Sequence, residues 1–155
     1  MTYGLTVAAA LGCALISGLF FAFSVFVMKA FGRISAEKGM AAMQSVNAAV
    51  LNPLFFGAFF GTAVLCCALV YLGIADPRSE DSAWQFAGAA LYLVCTILVT
   101  VFANVPMNKA LEPLDPATPD GERYWRRYLS VWTLWNHVRT VGSFAAAACF
   151  IFALD

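Results

Sequence analysis

Four stretches of the chain run almost unbroken in apolar residues, about Leu5 to Met28, Pro53 to Gly73, Trp84 to Ala103 and Trp135 to Leu154. Crossing about 30 Å of hydrocarbon takes roughly 20 helical residues, so each stretch is long enough to span. None shows the two-residue alternation of a barrel strand, which leaves the helix as the spanning element. The pattern predicts an all-α protein: an integral membrane four-helix bundle forming a single transmembrane domain over residues 1–155.

The connecting segments carry their own periodicity. After a Ser35 cap, Met40, Met43, Val46, Val50 and Leu51 recur near helical spacing, which predicts an interfacial amphipathic helix in the first loop with Asn47 on its apolar face. The third loop opens with the turn formers of Pro113 to Gly121, turns helical at Glu122 and runs into the fourth span. Along that stretch Tyr124, Trp125, Tyr128, Trp132 and Trp135 form an aromatic belt of the kind found at membrane interfaces.

Composition agrees with the pattern: at 62% hydrophobic and 12% charged, the chain is too apolar for an ordinary soluble domain. Its formal net charge of zero gives no basic patch for nucleic acid. Charge placement sets the orientation, because Lys and Arg concentrate in cytoplasmic loops. The first loop has Lys29, Arg33 and Lys38, and the third has Lys109, Arg123, Arg126 and Arg127; the second has Arg78 beside Asp76, Glu80 and Asp81. Loops one and three are therefore expected in the cytoplasm and both termini outside, in a multi-pass protein of the cell membrane such as the bacterial inner membrane.

The five cysteines lie in apolar runs without metal-ligand spacing and read as packing residues, so no metal is expected. Ala10-Leu11-Gly12-Cys13 is a poor lipoprotein box with no positive charge before it, so the first helix is expected to stay as a span. Gly57 and Gly61 make a G-x-x-x-G face that serves either helix contacts within the chain or a homo-oligomer.

Candidate chemistry lies where polar groups enter the membrane. The purely apolar part of the fourth span, Val141 to Leu154, is too short to cross, so Asn136, His137, Arg139 and Thr140 fall within the boundary. Burying Arg139 costs about 2.5 kcal/mol or more before snorkelling, and no Asp or Glu lies in any span to pair with it. Asn52, Asn104 and Asn108 reach the same depth from the second and third spans, and Asn47 from the first loop. Together they describe a pocket that is polar on one side and aromatic on the other, with Trp132 and Trp135 above. For any single asparagine, hydrogen bonding between helices is the plain alternative; for Arg139 it is snorkelling, and for His137 a structural role.

The run Met43 to Asn47, the motif Asn104-Val105-Pro106-Met107-Asn108 and the segment Trp132 through Trp135-Asn136-His137-Val138-Arg139-Thr140 together resemble the anthrone oxygenase-like membrane family over nearly the whole chain. The resemblance implies a small-molecule oxidoreductase, a monooxygenase that needs no cofactor. A hydrophobic, enolisable aromatic substrate loses a proton and its enolate reacts directly with dioxygen. It casts His137 as base and Arg139 as oxyanion stabiliser. Asn47, Asn52, Asn104, Asn108, Trp132, Trp135, Asn136 and Thr140 would line the substrate site at the cytoplasmic leaflet, and the partners would be membrane lipid, a hydrophobic small molecule and dioxygen. The competing reading is a non-catalytic protein that binds lipid or quinone.

Overall fold

A computed structural model describes residues 2–75 and 82–154. The second-loop charges Asp76, Arg78, Glu80 and Asp81 lie outside the described residues. Within them the chain is all-helical, in five helices: α1 (Thr2–Phe31), α2 (Ala36–Ala49), α3 (Pro53–Ala75), α4 (Ala83–Leu111) and α5 (Pro119–Phe152).

Local chemistry sets the boundaries. The Ser35 hydroxyl accepts from the Lys38 amide at 3.5 Å and opens α2. Asn52 caps α3, its Oδ1 accepting from the Phe55 amide at 2.9 Å, with Pro53 in the first turn where a missing N–H costs nothing. At α5 the Thr118 hydroxyl accepts from Gly121 at 3.2 Å, Pro119 follows, and Asp120 and Glu122 sit at the positive end of the dipole. Helix α2 ends at Ala49, two residues short of the predicted periodicity; Leu51 lies beyond it and is 65% exposed.

Two long helices depart from regular winding. Helix α1 widens to a π-helix over Phe23–Val27, and α4 does so over Tyr92–Leu98 and Thr100–Asn104. Pro106 explains the last of these: it lacks an N–H for the carbonyl one turn back and its ring crowds that turn, so the ladder loosens just before it. The third span thereby continues well past Ala103 to Leu111.

Helices α1, α3, α4 and α5 pack around Cys13, Ile16, Phe20, Phe59, Cys66, Leu69, Tyr92 and Phe150. Helix α2 closes the loop-one end, where Met40 and Met43 join Met28, Leu111, Trp125, Tyr128 and Trp132 in a second cluster. The outside is equally apolar: Leu15, Phe21, Leu54, Val64, Phe102 and Phe144 are each more than half exposed. Large apolar side chains facing outward along several helices fit a lipid surround, not water.

Three helices, α1, α3 and α4, are long and apolar enough to cross a membrane. The expected fourth, α5, is the longest at 34 residues but does not meet that test, because Asn136, His137 and Arg139 interrupt its apolar run. The Gly57 and Gly61 face is open, with nothing within 4 Å of a Cβ placed there, so it does not serve contacts within the chain.

Close approach of α4 and α5 depends on Gly142. A Cβ there would collide with the Cβ of Cys95. Gly142→Ala should lower the thermal midpoint of the detergent-purified protein, at a cost of about 1–3 kcal/mol from overpacking. Gly57→Ala should leave it unchanged or raise it by roughly 1 kcal/mol or less through helix propensity. Equal midpoints for the two variants would contradict the packing described.

Candidate functional site

The polar residues of α5 form one stripe because they recur at helical spacing: Tyr128, Trp132, Asn136, Arg139, Thr140 and Ser143 are all buried. Arg139 is 5% exposed and sits at the centre. Its Nη2 donates to Asn136 Oδ1 at 2.6 Å and its Nη1 to Thr100 Oγ1 at 3.3 Å. The guanidinium lies 4.1 Å from the Phe20 ring centroid and 5.1 Å from that of Trp132. The charge is thus held by an amide, a hydroxyl and two aromatic faces. Among the described residues both ion pairs, Arg123–Asp120 and Arg126–Glu122, are exposed and at the start of α5, so no carboxylate neutralises Arg139.

Asn136 is fixed from behind. Its Nδ2 donates to the Phe20 carbonyl and to Ser24 Oγ, both at 2.7 Å. Ser24 sits in the π-helical turn of α1, so the widened turn supplies a hydroxyl and a carbonyl to the same amide. Thr140 tightens this junction: Ser17 Oγ donates to its carbonyl at 3.1 Å, and its own hydroxyl lies 3.3 Å from Ser24 Oγ. On the α4 side Thr96 and Ser143 share a hydrogen bond of 2.7 Å, and Asn104 Nδ2 donates to the Trp132 carbonyl at 3.2 Å. Asn104 Oδ1 and Arg139 Nε are buried with no protein partner.

A cavity of about 310 Å³ opens beside this junction, with walls from all five helices. Its polar wall is Arg139, Asn108 and Asn47; its apolar wall includes Phe20, Phe23, Phe55 and Trp132. Asn108 is oriented by two donors, Tyr128 Oη at 2.7 Å and Trp132 Nε1 at 2.8 Å, both bonded to its Oδ1. That leaves the amide N–H groups of Asn108 as its free face. Tyr128 lies in the interfacial part of α5, and burial pushes its phenol above the ordinary range, so it remains an O–H donor. Asn47 sits beside the same phenol. Nothing on this cavity's wall is a carboxylate, while guanidinium and amide N–H groups meet aromatic faces there, an arrangement that can hold an apolar body carrying a negatively charged oxygen.

The residues predicted from the sequence separate into groups. Arg139, Asn47, Asn108 and Trp132 share the cavity wall. Asn104, Asn136 and Thr140 are buried in the helix junction that supports it. Asn52 is occupied as the α3 cap, its Nδ2 also donating to the Ala49 carbonyl at 2.9 Å. Trp135 is 40% exposed and off the wall. His137 lines a different cavity with Lys29 and Arg33. The reason is helix geometry: two residues apart means about 200° of rotation, so His137 and Arg139 face opposite ways.

Sequence reading does not assign Phe20, Phe23 or Ser24 to the site, and it reads Tyr128 only as part of the aromatic belt. For Tyr128 the signal existed, since it lies one turn before Trp132 and two before Asn136. Ser24 is one of three hydroxyl residues in the first apolar run, with Thr6 and Ser17, and nothing in the sequence sets it apart. Phe20 and Phe23 are indistinguishable by sequence from lipid-facing phenylalanines such as Phe21 and Phe26.

No curated protein and no solved structure matches the chain. The family model described as anthrone oxygenase matches residues 54–149, more than half of the chain. The match takes in Asn104, Asn108, Trp132, Asn136 and Arg139, while the wall contributed by α1 and α2 lies outside it. The chain belongs to the anthrone oxygenase family.

Proposed function

We propose that the protein is a membrane-embedded monooxygenase acting on an enolisable, anthrone-like aromatic, with Arg139 stabilising the substrate enolate. The observation that carries this reading is the buried guanidinium without a carboxylate partner on the wall of an otherwise aromatic cavity. Helix α5 serves as the fourth span of a four-helix bundle, its polar stripe turned inward where the other helices satisfy it. At about 310 Å³ the cavity is at the small end of the roughly 300–1,000 Å³ typical of ligand pockets, in keeping with a ligand of a few fused rings. Leu19 at its wall is 38% exposed, and Leu54, next in the chain to the wall residue Phe55, is 85% exposed, so a hydrophobic substrate can arrive from the bilayer.

An anthrone carries a CH₂ group flanked by aromatic rings and opposite a carbonyl. Loss of one proton to water gives an enolate whose negative oxygen is held by Arg139 and Asn108. That stabilisation is strong because the guanidinium is buried at 5% exposure, where an interaction with an anion is screened less than in open water. Dioxygen adds at the carbanionic carbon to give a hydroperoxide after protonation; loss of water then leaves a second carbonyl. Both hydrogens of the CH₂ depart, one oxygen atom of dioxygen stays in the quinone and the other leaves as water. His137, expected to be the base, faces the other cavity, so the proton is assigned to water and the acceleration to oxyanion stabilisation.

A second reading, quinone binding without turnover, draws on the same wall, which contains no His, Asp, Glu, Lys or Cys to act as a base.

Oxygen uptake by the detergent-purified protein with an anthrone, above spontaneous oxidation, tests the proposal. Wild type should be active, and Arg139→Gln should lower the rate by roughly 100-fold, the usual effect of losing one oxyanion donor. Uptake at background in wild type, with a quinone still bound, would replace the oxygenase by the binding protein.

Asn108→Asp provides a second check, because it sets a carboxylate beside the place assigned to the enolate. It should shift the absorbance of bound anthrone from the enolate towards the neutral form while keeping the Tyr128 and Trp132 hydrogen bonds. An unchanged spectrum would mean that the substrate oxygen lies elsewhere.

A further inference from the structure

A second cavity, of about 370 Å³, lies on the other side of α5 from Arg139. The end of α1 brings Lys29 and, just beyond it, Arg33; α5 brings Leu129, Thr133 and His137. No carboxylate lines it, and among the described residues neither Lys29 nor Arg33 makes an ion pair. Two cations one helical turn apart repel each other. Thr133 lines the cavity, and its hydroxyl oxygen is buried with no protein partner, an arrangement that costs free energy unless the side chain turns to bond to something else.

The negative end of the α1 dipole favours a cation there, and that alone would account for Lys29 or Arg33 as a helix-terminal residue. It does not account for His137 and the unpartnered Thr133, which come to the same space from another helix. Lys29, Arg33 and His137 are exposed around the cavity, and an anion with several acceptor oxygens can bridge them and reach Thr133. Phosphate has that form and would accept from a guanidinium, an ammonium, a hydroxyl and an imidazole N–H at once. Lys29 follows the apolar run of α1, the depth at which headgroups lie, and Met28 and Leu129 give the cavity an apolar side against which the rest of a lipid can pack.

We propose that the cavity between the end of α1 and the middle of α5 binds a phosphate group, Lys29 and Arg33 neutralising its charge and Thr133 and His137 donating hydrogen bonds to it. The site is separate from the Arg139 cavity and stands whether or not that cavity turns over an aromatic substrate.

Native mass spectrometry of the full chain released from non-ionic detergent tests this. Three probes are titrated: short-chain phosphatidylglycerol, inorganic phosphate, and short-chain diacylglycerol as the lipid without phosphate. A single saturable adduct is expected with phosphatidylglycerol and none with diacylglycerol. Displacement by inorganic phosphate would assign the site to the phosphate group itself and admit free phosphate esters; resistance to displacement would assign it to a lipid headgroup. Lys29→Gln/Arg33→Gln should weaken binding by about tenfold or more, as expected for the loss of charge-assisted bonds. Thr133→Val, which keeps the side-chain shape, should weaken it severalfold and remains informative if the double variant folds poorly. Lys109→Gln/Arg127→Gln, which removes two exposed charges elsewhere, should not change it. The proposal is overturned if neither phosphate probe saturates, if diacylglycerol binds equally, or if the Lys109 and Arg127 substitutions weaken binding as much as those at Lys29 and Arg33.

Discussion

A positive charge buried among helices without a negative partner is the constraint around which the rest of the protein is arranged. Arg139 lies at 5% exposure in a chain whose surroundings are apolar on nearly every side. Transfer of such a group into a membrane helix costs about 2.5–3.5 kcal/mol on insertion scales. An aspartate on α1 or α4 would offset this, yet would also cancel the field that an anionic ligand could use. Asn136, Thr100, Phe20 and Trp132 hold the cation in place and leave its charge largely uncancelled. Of the five guanidinium N–H groups, two are spent on the protein bonds described, so donors remain for a ligand.

The irregularities of the helices follow from this arrangement. Widening α1 at Phe23–Val27 lets Ser24 and the Phe20 carbonyl meet one asparagine amide, which in turn orients the guanidinium. Widening α4 before Pro106 sets Thr100 against Arg139 and carries Asn108 on to the cavity wall. Helix α2 then folds back over this end, its Met40 and Met43 anchored among Trp125, Tyr128 and Trp132, and brings Asn47 to the cavity. The Arg139 cavity and the Lys29 cavity lie against opposite faces of one helix, α5. Ser24 lines the second cavity and bonds to the amide that orients the first.

Much of this was legible in the sequence. Apolar run lengths gave the all-helical fold, and the Ser35 cap with the methionine spacing gave α2. The depth of Arg139 and the absence of an intramembrane acid drew attention to the region of the cavity that Arg139, Asn47, Asn108 and Trp132 line, although Asn52 and Asn104 do not reach its wall. Three things were hidden for identifiable reasons. The length of an apolar run does not reveal π-helical turns, so neither the role of Ser24 nor the continuation of α4 to Leu111 could be read. Phenylalanines that line a cavity and those that face lipid have the same side chain, and only tertiary packing separates Phe20 from Phe21. The resemblance implies His137 and Arg139 acting together, but residues two apart on a helix differ by about 200°, and the two side chains line different cavities.

The most direct test is an experimental structure of the protein with an anthrone-derived phenolate bound. The phenolate oxygen should lie within hydrogen-bond distance, about 3 Å, of the Arg139 guanidinium, with the rings between Phe20, Phe55 and Trp132. A ligand bound with its oxygen turned away from Arg139, or seated instead in the cavity beside His137, would contradict the assignment of Arg139 as the group that holds the developing charge.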